Sequence, residues 1–227
     1  YFSQRINRDG WQETSFSMLN ISHLPVRPVF NQNNEPLMVH VSMPGRIVYA
    51  KIWRIGIGRI SLYALDTDVP ENNQYDRGIT AKLYGGDSET RIQQEILLGI
   101  GGIRLLEALG IKGTVYHMNE GHSAFMGLEL IRKLITEKNM SFEEAKEVVI
   151  SSSVFTTHTP VPAGNDVFPL DMIDRYFSNY WSQIRLQRHD FINLGLKPGD
   201  PYNFNMTVLA LSLSGKRNGV SALHGAV

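Results

Sequence analysis

Cysteine is absent from the 227 residues, which excludes disulfides, thiolate metal ligands and thiol nucleophiles and suits a reducing, cytoplasmic setting. Net charge is lacking too. Lys plus Arg and Asp plus Glu both number 22, so neither a nucleic-acid footprint nor a polybasic membrane patch is expected. No apolar run approaches the ~20 residues of a membrane helix. No GxSxG elbow supports a Ser/His/Asp triad. A glycosidase-type carboxylate pair is also unsupported: apart from the turn residues Glu120 and Asp166, the acidic residues fall mostly on helix faces, where solvent is the default partner. The chain opens on Tyr1 instead of Met and stops at Val227 just after an apolar, helix-starting segment, so both ends read as cuts.

What is present is enough for a globular core: 42% hydrophobic residues, with 10 Phe, 9 Tyr and 3 Trp. Residues 1–34 lack periodicity and read as a strand end and a long surface loop. Residues 37–68 alternate apolar and polar positions around a Pro44-Gly45 turn and Gly58, the pattern of an antiparallel three-stranded meander. A turn-rich stretch then leads to a helix from Ser88, with Ile92, Ile96, Ile100, Ile103 and Leu106 on one face and Gly110 as its C-terminal cap. Gly99, Gly101 and Gly102 inside it predict close backbone packing against a sheet. The Gly85 to Asp87 turn lacks the lysine and spacing of a P-loop.

After Gly110 the pattern becomes β then α, twice. Thr114 to Met118 reads as a strand, and Ser123 to Lys138 as a helix with Phe125, Leu128 and Ile131 inward. Ser141 with Glu144 forms a capping box for a helix at Phe142 to Ile150, which returns the chain to a strand at Val154 to Thr157. Helices are expected over 168–181, 188–196 and 205–213, with a KPGDP loop between the last two and a brief NGV strand near the end. The whole predicts an α/β fold, a Rossmann-like parallel sheet with flanking helices plus the meander.

Pro160 and Pro162 halt the second strand and hold its carboxyl end open, and Thr159, before a proline, is pushed to an extended conformation. In open α/β sheets ligands sit at such ends. His158 lies at one of them; His117, Glu120 and His122 lie at the other. His117 falls within its strand and reads as a satisfied core histidine. Glu120 and His122, in the turn after it, face the crevice. A metal site from these four is disfavoured, because HMNEGH is not HExxH and offers no helical pair of histidines.

Three separated motifs, HMNEGHSAF (117–125), THTPVPAGNDVF (157–168) and NGVSALHG (218–225), resemble the α-glucan phosphorylases, the glycogen and maltodextrin phosphorylase family. The resemblance covers nearly the whole chain and only part of the family's enzyme. It implies that residues 1–227 are part of the N-terminal lobe of a two-lobed GT-B glycosyltransferase, with the meander at 37–68 within it. The main-chain carbonyl of His158 would face the anomeric carbon of the transferred sugar, with Asn119, Glu120, His122 and Thr159 binding substrate. Glu120 stands where the animal and maltodextrin enzymes carry Asp, which places the chain nearer the bacterial and archaeal branch. The implied partners are an α-1,4-glucan and phosphate, with a homo-oligomer left open for the parent enzyme. The implied cofactor is pyridoxal phosphate, whose lysine belongs to a second lobe after Val227, so that this chain contributes no cofactor-binding residue. A sugar-nucleotide-dependent glucan synthase lobe and a non-catalytic carbohydrate-binding module are the competing readings.

Overall fold

The computed structural model describes residues 2–16, 21–83, 86–158 and 165–222. The chain divides into two compact units, residues 1–40 with 47–91, and residues 41–46 with 92–227.

In the first unit, β1 (Phe2–Ile6) and β2 (Gln12–Phe16) form an antiparallel hairpin where a strand end and loop were expected. The Asn7 side-chain oxygen accepts from the N–H groups of Asp9 and Trp11, and Gly10 at φ +83° closes the turn. Every residue of β2 is exposed, so no buried face exists to imprint an alternation on the sequence. β3 (Val26–Pro28), β4 (Met38–Met43), β5 (Arg46–Ile57) and β6 (Ile60–Asp66) form one antiparallel sheet, of which residues 41–46 are grouped with the second unit; it is the expected meander with β3 added along β5. Val48, Ala50 and Ile52 are buried at alternate positions of β5, the period of a half-buried strand. Gly45 and Gly58, both at positive φ, make its two turns.

The second unit begins within a long helix. α1 (Ser88–Ile96) runs through one π turn, Leu97–Gly101, into α2 (Gly102–Ala108). It ends as the sequence predicts: Gly110 at φ +67° follows the C-cap, its N–H bonds Glu107 O, and Ile111 N–H bonds Leu106 O. Gly99 and Gly102, however, do not pack on a sheet. A Cβ on Gly99 would lie 2.7 Å from the backbone nitrogen of Met126 and 2.9 Å from Phe125 Cβ, both in the helix that follows, whereas one on Gly102 would meet nothing within 4 Å.

β7 (Tyr116–Asn119) leads through a 3₁₀ turn into α3 (Phe125–Lys138), then α4 (Phe142–Ser152) and β8 (Ser153–Thr157). The predicted Ser141–Glu144 capping box opens α4. β9 (Val167–Pro169) precedes α5 (Leu170–Phe177), so Phe168 and Pro169 belong to a strand instead of the expected helix. Pro169, at φ −55° and ψ 145°, is extended and stands at the N-cap. After α6 (Arg188–Asn193), the expected loop is a hairpin of β10 (Leu196–Lys197) and β11 (Asp200–Asn205) around Gly199. Its second strand pairs with β9. α7 (Met206–Ser212) and β12 (Lys216–Gly219) complete the described residues.

β7, β8 and β12 form a parallel sheet with β8 in the centre, and β9, β10 and β11 an antiparallel one, giving a mixed α/β architecture. Met118 on β7 and Phe155 on β8 are paired in register and fully buried. A run of rings fills the helical side of the core: Phe125 to Phe177 (4.7 Å between centroids), Phe177 to Phe191 (5.3 Å) and Phe191 to Phe204 (6.0 Å).

The Gly99 contact is testable against its neighbour. Gly99→Ala should lower the thermal midpoint, because overpacking costs about 1–3 kcal/mol and exceeds the up to ~1 kcal/mol that Ala returns in helix propensity. Gly102→Ala, with open space, should raise it. Equal shifts in the two variants would show that the π turn is not held by this approach.

Candidate functional site

β7 and β8 end side by side, with Asn119 opposite Thr156. One residue later β7 turns away. Glu120 adopts φ 62° and ψ −179°, a region populated almost only by glycine and costing of order 1–3 kcal/mol for other residues. The residue is 6% exposed and its polar groups point back at β8. Its N–H donates to Thr156 O at 3.0 Å. Its carboxylate accepts from the backbone N–H of His158 and stands 3.5 Å from the Thr157 hydroxyl. On the other side of β8, Val220 N–H donates to Thr157 O at 2.9 Å. An open cleft of about 500 Å³ lined by Thr157, Asn218, Gly219 and Ser221 lies at this end of β8 and β12.

The turn after Glu120 is seated on the start of α7. A Cβ on Gly121 would lie 3.1 Å from both Met206 Cβ and Thr207 N, so any side chain here would push the turn or the helix start back by a few tenths of an ångström. The same helix start, N-capped by Asn205, also anchors the chain that returns at Asn165: Met206 N–H donates to Asp166 O (3.1 Å) and the Thr207 hydroxyl donates to the Asn165 side chain (2.8 Å). His122 and Asp166 are thereby brought together. His122 Nδ1–H donates to Asp166 Oδ2 at 2.8 Å, and Glu95 Oε1 on α1 lies 3.6 Å from the same nitrogen. Hydrogen bonding to Asp166, then to Glu95, raises the His122 pKa to about 9 against the opposing effect of partial burial. His122 is an imidazolium at neutral pH, a charged donor suited to a hydroxyl or an anion.

Of the predicted site residues, Asn119, Glu120, His122 and His158 come together at this sheet end, with the His158 side chain exposed. Thr159 lies outside the described residues. His117 is not a core histidine: β7 is an edge strand that turns Met118 inward, and His117 is exposed on the other face. Its Nε2–H donates to the Thr156 hydroxyl (2.7 Å), which donates to the Asn218 side chain (2.9 Å), a polar ladder across all three strands. Among the described residues one group could hold a metal ion, Glu95, His122 and Asp166, with ligand atoms within 4.8 Å of one another. It shares only His122 with the set disfavoured from sequence, and a cation there would displace the Nδ1 proton.

Sequence reasoning passed over Glu95. Its signal was available, since it sits between Ile92 and Ile96 on the inward face of the helix, where a lone carboxylate calls for a partner. Glu129 is a second acidic residue whose helix face is buried, bound by Arg104, Arg132 and Tyr180.

Residues 106–227 match the family model described as carbohydrate phosphorylase. The chain is 44% identical to a glycogen phosphorylase of Mycobacterium tuberculosis H37Rv, aligning over 100% of its own length and 28% of that protein. It is also 44% identical to a maltodextrin phosphorylase of Thermococcus litoralis (100% and 27%) and 36% identical to a glycogen phosphorylase of Aquifex aeolicus (99% and 32%). The chain thus spans under a third of the length of these relatives.

The ion pair predicts a pH dependence. A folded pKa of about 9 against an ordinary 6.5 means that His122 stabilises the fold fully below pH 6.5 and that this contribution is lost as pH rises through about 9. NMR titration should place the His122 midpoint near 9, and Asp166→Asn should bring it down towards 6.5. A wild-type midpoint near 6.5 would refute the ion pair.

Proposed function

The chain belongs to the carbohydrate phosphorylase family, and from that premise we propose that it forms part of a retaining α-1,4-glucan phosphorylase that moves glucosyl units between a glucan and phosphate. The observation that carries this reading is a likeness over the whole chain to two named phosphorylases, with Thr157-His158 and the NEGH motif at one end of one parallel sheet.

In this proposal residues 1–227 are part of the N-terminal lobe of a cytoplasmic, two-lobed GT-B enzyme. The transferred sugar lies over His158, whose main-chain carbonyl stabilises positive charge developing at the anomeric carbon. Phosphate protonates the departing glycosidic oxygen, so no protein carboxylic acid is needed. Asn119, His122 and Thr159 form the acceptor-sugar side, with the His122 imidazolium donating to a sugar hydroxyl, whereas Glu120, expected among them, is buried with its carboxylate turned to β8. The groups at the strand ends, Asn119, Glu120, His122, His158 and Asn218, include no primary amine, so they do not fit the Schiff base of pyridoxal phosphate. The cofactor is assigned to the rest of the protein.

Loaded with pyridoxal phosphate, the full-length protein should release glucose 1-phosphate from maltodextrin in phosphate buffer and transfer nothing from a sugar nucleotide. His122→Ala should reduce kcat/KM for the glucan at least ~10-fold, the equivalent of one lost hydrogen bond of ~1.4 kcal/mol. Sugar-nucleotide-dependent chain growth, or near-normal kinetics in the variant, would overturn the respective assignments.

A further inference from the structure

We propose that Glu120 is a positioning residue that sets the His158 carbonyl by capping the carboxyl end of β8. This role rests on the phosphorylase reading for its catalytic consequence, though the cap itself does not. In a parallel sheet, each backbone N–H of a strand needs a carbonyl on its neighbour. β7 cannot supply one to His158, because it turns away at Glu120 to open the crevice. The Glu120 carboxylate takes the place of the missing carbonyl and accepts the His158 N–H.

The backbone groups leading to His158 are therefore all held: Thr156 O by Glu120 N–H, Thr157 O by Val220 N–H, and His158 N–H by the Glu120 carboxylate. The next group along the chain is the His158 carbonyl. One residue thus grips β8 through both its main chain and its side chain, and the left-handed conformation at Glu120 accompanies this grip. Its burial and its two inward contacts set it apart from Asn119, which is exposed.

A positioning role and a direct sugar contact make different kinetic predictions. A cap aligned with the reacting centre acts on kcat, whereas a ground-state contact to the acceptor acts on KM. In the full-length holoenzyme, with maltodextrin and phosphate, Glu120→Ala should lower kcat at least ~10-fold with KM for the glucan within about twofold of wild type. Glu120→Gln, which keeps one acceptor oxygen, should lie between. Hydrogen exchange followed by mass spectrometry should show faster exchange of the His158 amide in Glu120→Ala. Glu120→Gly, which suits the backbone angles, should melt no lower than Glu120→Ala while losing the same kcat. That pairing separates loss of the cap from loss of the fold. A raised KM with intact kcat, or unchanged exchange at His158, would overturn the proposal. If the wild-type holoenzyme performs no phosphorolysis, the functional reading fails, and the exchange measurement still decides whether the cap exists.

Discussion

A parallel sheet has to stop somewhere without leaving buried backbone groups unsatisfied, and the way this one stops governs everything at its carboxyl end. β8 lies between β7, whose pairing stops at Asn119 opposite Thr156, and β12, which pairs as far as Thr157. Water is the usual partner for groups released in this way, but water alone does not fix their direction. Here the released groups are gathered by Glu120 on one side and Val220 on the other. The crevice is open because β7 turns, and the strand beside it stays rigid because the turning residue reaches back.

The same economy places the second cluster. Gly121 lets the turn sit against the first residues of α7, and those residues also anchor Asn165 and Asp166. One helix start therefore sets both members of the His122–Asp166 pair, from segments over forty residues apart. Glu95 adds a second carboxylate from α1, so two acidic groups face one imidazolium. Burying Glu95 without a charged partner would be costly. The protonated histidine offsets that cost and is in turn kept charged well above its ordinary range. Glu129 solves the same problem differently. Burial raises its pKa, but hydrogen bonds from Arg132 and Arg104 outweigh that and hold it lowered, whereas Tyr180, buried beside it, is pushed up.

Where a buried face imposes a period, the sequence reads well. Val39, Val41 and Met43 in β4, and Phe125, Leu128, Ile131 and Ile135 in α3, carry the alternation and the helical spacing that predicted their elements. Caps were equally legible, since the Ser141–Glu144 box and Gly110 act through local geometry that residue type alone specifies. The exposed β1–β2 hairpin and the short β10–β11 hairpin lack such a period and were read as loops. His117 shows the limit of strand assignment: membership of β7 was predicted, but its face depends on register and on β7 being an edge, neither of which is written locally. Asn119, Glu120 and His158 were legible as positions at strand ends. The partners of His122 were not, because Glu95 and Asp166 reach it through tertiary packing.

Glu120 is the point at which local and global preferences oppose each other. Glycine would suit its backbone angles, and a solvated turn would suit its charge, yet the residue is buried, charged and strained. A strain of order 1–3 kcal/mol persists only if the surrounding structure over-determines it. The determinants are identifiable: Met206 and Thr207 press on the following glycine, the Thr156 carbonyl holds the Glu120 N–H, and the carboxylate bonds the His158 amide. Charge-assisted bonds of this kind are roughly twice as strong as neutral ones and work against the strain. A glycine here would relax the turn and release the strand, so the cost of the left-handed glutamate is the cost of keeping β8 in register one residue beyond the end of its ladder.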